Sequence, residues 1–121
     1  MKPNQIVLYT GDIEASKAFY QKVLDTQPQG LSPNFAVFPL DNGWTLGILR
    51  RETVQPEPAP AGGVELILER PNRESVDQVA ATWRKDNVSI ILEPTEAPFG
   101  YSFIAADPDG HRLRVGYFPQ G

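Results

Sequence analysis

The chain has no cysteine, one histidine and one methionine in 121 residues. Without cysteine there is no disulfide frame, no thiolate metal site and no thiol nucleophile. A single histidine excludes any zinc motif that needs two within one chain. No apolar run approaches the ~20 residues of a membrane-spanning helix, and the N-terminus lacks the basic, apolar, small-residue succession of a secretory signal. Asn87-Val88-Ser89 fits a glycosylation acceptor, but without such a signal it is read as chance. There is no basic stripe either. A net charge of -4 and a pI of about 4.9 argue against a nucleic-acid partner. The expectation is a soluble cytoplasmic protein with no membrane partner. Hydrophobic residues, at 40%, suffice for one core and not for two independent ones.

What is present is an order of elements that repeats. Gln5 to Thr10 reads as a strand, Asp12 as a helix cap, and Ile13 to Leu24 as a helix by the spacing of Ile13, Phe19, Tyr20, Val23 and Leu24. Asp25 to Pro33 reads as a loop with room for a short edge strand. Phe35 to Leu40 and Trp44 to Arg50 flank the hairpin signal Asp41-Asn42-Gly43. Residues 51–63, rich in proline and glycine, are a linker that excludes helix and central strand. Then Val64 to Glu69 reads as a strand, Asn72 as a cap and the stretch to about Asp86 as a helix, with Val76, Val79, Ala80 and Trp83 on one face. Val88 to Leu92 reads as a strand ended by Glu93-Pro94, and Phe99 to Ala106 and His111 to Phe118 as a closing pair around Asp107-Pro108-Asp109-Gly110. The fold class is α+β. One domain is built of two βαβββ modules, residues 1–50 and 64–121, each too small for a core of its own.

Strand parity divides the side chains. Ile6, Leu8, Leu46, Ile48, Leu66, Leu68, Leu113 and Val115 share an aliphatic face that suits the helices. Gln5, Val7, Tyr9, Glu65, Ile67, Glu69, Arg112, Arg114 and Gly116 share the other. A row that mixes charged, polar and apolar groups fits a ligand cavity better than a dry core. Arg114 and Glu65 are expected to meet there, either as a structural ion pair or as the group that binds a ligand carboxylate or hydroxyl. If Ala106 pairs with His111, Phe103 faces Arg114 and Tyr101 faces Gly116. Similar pairing of the first hairpin sets Phe38 opposite Gly47, and a slip of one residue substitutes Phe35 and Val37. Phe38, Tyr101 and Phe103 are thus expected either to form a slot for a flat ring or to pack as core. Trp83 is read as core, Trp44 as core or rim, and His111 as turn packing.

Two stretches carry a resemblance. Ile6 to Tyr20 (IVLYTGDIEASKAFY) and Phe99 to Val115 (FGYSFIAADPDGHRLRV) resemble the first strand and helix and the closing hairpin of the vicinal oxygen chelate superfamily, which includes glyoxalase I, bleomycin-resistance proteins and extradiol dioxygenases. The resemblance implies paired βαβββ modules whose sheets curl into an open barrel around a cavity. It also implies four positions for divalent-metal ligands, which fall here at Gln5, Gly47, Glu65 and Arg114. Glycine offers no donor and arginine no lone pair. A guanidinium would repel a divalent ion by ~4 kcal/mol per unit-charge pair at ~4 Å and an effective dielectric of ~20. No metal, cofactor or catalytic residue is therefore expected.

Together with Pro33 to Gly43 (PNFAVFPLDNG), the closing hairpin looks most like the phenazine-antibiotic resistance proteins. That resemblance implies a metal-independent homodimer that sequesters a flat aromatic molecule such as a phenazine-type acid, through Arg114, Glu65, Gln5, Phe38, Tyr101 and Phe103. The alternative is a metal-dependent lyase, isomerase or dioxygenase of the same superfamily. A third class is an interaction module whose barrel is filled by its own side chains.

Overall fold

The computed structural model describes residues 1–119, with Leu31 described by its backbone alone. The chain divides into two compact units, Met1–Pro60 and Ala61–Gly121. Each has the order strand, helix, three strands, and the fold is α+β.

In the first unit β1 (Gln5–Thr10) leads into α1 (Ile13–Leu24), followed by β2 (Gln29–Ser32), β3 (Phe35–Pro39) and β4 (Thr45–Arg50). The Asp12 side chain caps α1 by accepting from the amide of Ala15 at 3.1 Å, and Asp25 ends it with φ 50°. The sheet order is β1-β4-β3-β2, with β1 parallel to β4 and the other pairs antiparallel. Ile13, Ser16, Phe19 and Tyr20 form the buried face of α1. The Tyr20 ring lies 6.3 Å from that of Phe38, so Phe38 belongs to the core beneath this helix. Trp44 follows the hairpin turn half-buried. Beyond β4, the Arg51 guanidinium donates to the carbonyls of Pro58 and Ala59 and so ties the proline-rich segment back on its own start.

The second unit repeats the plan with β5 (Glu65–Glu69), α2 (Arg73–Lys85), β6 (Ser89–Ala97), β7 (Gly100–Ala106) and β8 (Arg112–Tyr117), in sheet order β5-β8-β7-β6. Asn72 caps α2 by accepting from the amide of Ser75 at 2.8 Å. Val76, Ala80 and Trp83 are buried, and Trp83 meets Phe103 edge-on at 5.5 Å. β6 runs on through Pro94, where the sequence suggests a stop. It is an edge strand with two register shifts, Ile90/Leu92 and Leu92/Thr95, and a missing N–H is tolerated in such a place. Neither sheet closes on itself. Among the described residues no helix is long and apolar enough to cross a membrane.

The register of both hairpins differs by one residue from the pairing that favours the expected aromatic slot. Pro39 lies opposite Thr45 and Ala106 opposite Arg112, so residues 40–44 and 107–111 form the connections. In the second, the Asp107 carboxylate accepts from the amides of both Asp109 and His111 at 2.9 Å. His111 is thereby held in the turn instead of opening the strand. One added residue moves every side chain of the partner strand to the opposite face.

Candidate functional site

The site lies on the face of the second sheet that carries Arg114. Cross-strand pairing places Arg114 beside Ile67 of β5 and Ile104 of β7, with Ser102 and Gly116 as the next pair along the same face. Glu65 stands two residues before Ile67, and its carboxylate meets the guanidinium in a parallel fork. Nε donates to Oε1 at 3.0 Å and Nη2 to Oε2 at 2.9 Å. Nη1 donates to Ser102 Oγ at 3.0 Å. Of the five N–H groups of a guanidinium, these bonds use three. Among the described residues the remaining two, one on each Nη, have no partner. The side chains of Arg114 and Glu65 are 17% and 31% exposed. The hydrogen bonds from Arg114 hold the Glu65 carboxyl below the ordinary range; partial burial opposes this, and the attraction of Arg114 and Arg112 adds to it.

Two aromatic rings complete the recess. Arg114 Cζ lies 5.2 Å from the centroid of the Phe99 ring, a cation–π contact. Phe99 and Phe118 lie 6.2 Å apart and tilted by 36°. The rings touch each other, so they offer a platform to lie on rather than a slot to enter. Two glycines make room for them. A Cβ on Gly116 would come within 2.4 Å of Phe118 Cζ, and one on Gly100 within 2.2 Å of the Tyr117 carbonyl oxygen. Gly100 also has φ 149°, which other residues rarely adopt. The resulting recess of about 450 Å³ is lined by Glu65, Ile67, Glu69, Phe99, Arg114 and Phe118. That is within the usual size of a small-molecule site, ~300–1,000 Å³.

The residues singled out from sequence fall into three groups. Arg114 and Glu65 are brought together as expected. Gln5 lies in the first unit, exposed, donating its amide to Thr45 Oγ1 at 2.9 Å. Phe38, Tyr101 and Phe103 are not on the Arg114 face. Phe38 and Phe103 are fully buried beneath the helices. Tyr101 pairs with Tyr117 and donates its hydroxyl to Asp77 of α2 at 2.6 Å, a bond that raises its pKa. The gap expected at Gly47 is covered by Phe35, whose ring a Cβ there would meet at 2.9 Å. Phe99 and Phe118 are the aromatics that sequence reasoning missed. Phe118 shares the parity of Arg114 and Gly116 and was within reach of the same alternation. Phe99 was not, because the positive φ of Gly100 breaks the alternation before it.

These donors do not suit a divalent cation. Both oxygens of Glu65 are engaged by a guanidinium, Gly47 has no donor, and Arg114 carries a positive charge where an anion is required. Asp107, Asp109 and His111 bring three potential ligand atoms within 4.8 Å of one another. They belong to the hairpin turn, where the Asp107 carboxylate already accepts two backbone amides.

A family model, the Glyoxalase/Bleomycin resistance protein/Dioxygenase superfamily, matches residues 2–115. The phenazine antibiotic resistance protein EhpR of Enterobacter agglomerans is 29% identical over 116 residues, which cover 93% of this chain and 89% of that protein. A protein from Agrobacterium tumefaciens solved in solution by NMR is 39% identical, with a TM-score of 0.86 and 98% of each chain covered. A glyoxalase-related enzyme from Fulvimarina pelagi superposes with a TM-score of 0.84 at 22% identity, covering 98% of this chain and 88% of that one; at that identity the likeness speaks for the fold alone.

Proposed function

Because this chain belongs to the Glyoxalase/Bleomycin resistance protein/Dioxygenase superfamily, we propose that it binds a flat aromatic small molecule without a metal and sequesters it, as an antibiotic-resistance protein would. The model ligand is a ring system of the phenazine type. The observation that carries this reading is the recess of the second unit, where Arg114 lies against Phe99 beside Phe118 in a volume of about 450 Å³. A flat ring laid on Phe99 and Phe118 buries its apolar face. Stacking of this kind contributes ~0.5–1.5 kcal/mol beyond the area covered. Arg114 supplies directed N–H donors at the edge of the platform. The likeness to a phenazine antibiotic resistance protein supports the same class of ligand. The four positions at which the superfamily's metal ligands would fall, Gln5, Gly47, Glu65 and Arg114, are a poor donor set for a divalent ion, which supports metal-independent binding over lyase, isomerase or dioxygenase activity.

We also propose that the protein works as a homodimer in the cytoplasm. Calorimetric titration of the purified chain with phenazine-type compounds tests the reading. Binding at one site per chain is expected, and Arg114→Ala should weaken it at least about tenfold, the loss of one or two charge-assisted hydrogen bonds. Equal binding by Arg114→Ala would remove the arginine from the site. Stoichiometric metal in the purified protein would overturn the metal-independent reading. Light scattering that returns the mass of a single chain would overturn the dimer.

A further inference from the structure

Glu65 occupies one of the two edges on Arg114 where a ligand carboxylate could bind in a parallel fork. A guanidinium binds a carboxylate best through two parallel N–H bonds along one edge. Here the Nε/Nη2 edge is taken in that manner by the chain's own carboxylate at 3.0 and 2.9 Å. The charges lining the recess are Glu65, Glu69 and Arg114, two negative and one positive. Arg112, opposite Glu65 in the strand register, brings the balance no higher than zero. An anion entering the recess thus meets no surplus of positive charge, and it competes with a tethered carboxylate for the one arginine that lines the recess among the described residues. The two N–H groups left on Arg114, one on each Nη, belong to a guanidinium whose charge Glu65 already balances, which suits them to neutral acceptors such as a ring nitrogen, a quinone oxygen or an amide carbonyl.

We propose that Glu65 is a specificity-determining residue, an internal carboxylate that makes the recess select uncharged, acceptor-bearing flat aromatics and reject aromatic carboxylates. This rests on the reading of the recess as an aromatic-binding site. It narrows the aromatic acid that the sequence suggests to uncharged rings, because Glu65 engages Arg114 through both carboxylate oxygens.

The test uses two probes that differ in charge and share a ring, phenazine and phenazine carboxylate, titrated near neutral pH into the unaltered chain, Glu65→Gln and Glu69→Gln. The unaltered chain should bind phenazine about tenfold or more tightly than the carboxylate, since a misplaced like charge costs at least the ~1.4 kcal/mol of one decade. Glu65→Gln should close or reverse that ratio, chiefly by gaining affinity for the carboxylate. Glu69→Gln should move it the same way by less, because Glu69 does not hold the arginine. A tighter carboxylate complex with the unaltered chain overturns the proposal, as does a ratio that neither variant moves. Binding of neither probe by the unaltered chain overturns the aromatic-site reading itself, and the selectivity with it. If Glu65→Gln does not fold, the unaltered chain and Glu69→Gln still decide between these outcomes.

Discussion

The Glu65–Arg114 pair should be measurable as a coupling energy, and its size follows from its setting. Two unit charges ~4 Å apart at an effective dielectric of ~20 attract by ~4 kcal/mol before desolvation is charged against them. Exposed pairs retain ~0.2–1 kcal/mol of this, whereas breaking a fully buried pair costs ~3–5 kcal/mol because the survivor is left uncompensated. With side chains 17% and 31% exposed, this pair lies between those limits. We expect Arg114→Met to cost about 2 kcal/mol and Glu65→Gln somewhat less, with a coupling of about 1–1.5 kcal/mol in a double-mutant cycle. For a chain of this length, Arg114→Met should lower Tm by about 6–10 °C.

Urea denaturation followed by tryptophan emission supplies the four free energies. Acid titration gives an independent check. The carboxyl of Glu65 is held below its ordinary value of 4.5 by the hydrogen bonds from Arg114. A depressed carboxyl contributes stability that is complete above the unfolded value and is lost as pH falls from there through the lower folded one. Arg114→Met should flatten that part of the acid limb. A coupling under about 0.3 kcal/mol, within the additivity of unlinked sites, would refute the reasoning. So would an acid limb unchanged by Arg114→Met.

Other expectations follow from the register and from the glycines. Phe103→Ala empties a fully buried site and should cost about 3–5 kcal/mol, read by denaturation. Phe99→Ala, at a residue 50% exposed, should cost under about 1 kcal/mol yet weaken ring binding in calorimetry; the reverse pattern would return the site to the aromatics expected from sequence. Gly116→Ala should displace the Phe118 ring, with an overpacking cost of about 1–3 kcal/mol and a clear loss of ring affinity. Gly100→Ala meets a backbone carbonyl at 2.2 Å and a positive φ, so its loss of Tm should exceed that of Gly116→Ala.

The parts of this molecule legible in its sequence are those set by local rules. Asp12 and Asn72 announce their helices because a short side-chain acceptor satisfies the first free amides. The aliphatic parity of Leu46, Ile48, Leu113 and Val115 announces the buried face, because a strand alternates. Arg114 and Glu65 meet for the same reason, two residues of one parity on neighbouring strands. The faces of Phe38, Tyr101 and Phe103 were not legible, because a hairpin's register depends on the length of its connection. In the closing hairpin that length is set by two hydrogen bonds to one Asp107 carboxylate, which a tally of turn residues does not reveal. Glu93-Pro94 reads as a strand end because proline lacks an N–H, yet β6 is an edge strand and runs on through Pro94 without needing it.

The chain has two tryptophans, Trp44 in one compact unit and Trp83 in the other. This gives each half its own optical label without any added dye. Trp44→Phe leaves an emitter lodged against Phe103, one residue from the serine that holds Arg114, and so reports the half that carries the recess alone. Trp83→Phe leaves an emitter beside the first hairpin turn. Comparing the two single-tryptophan proteins during unfolding or titration would show whether the halves respond together or in sequence.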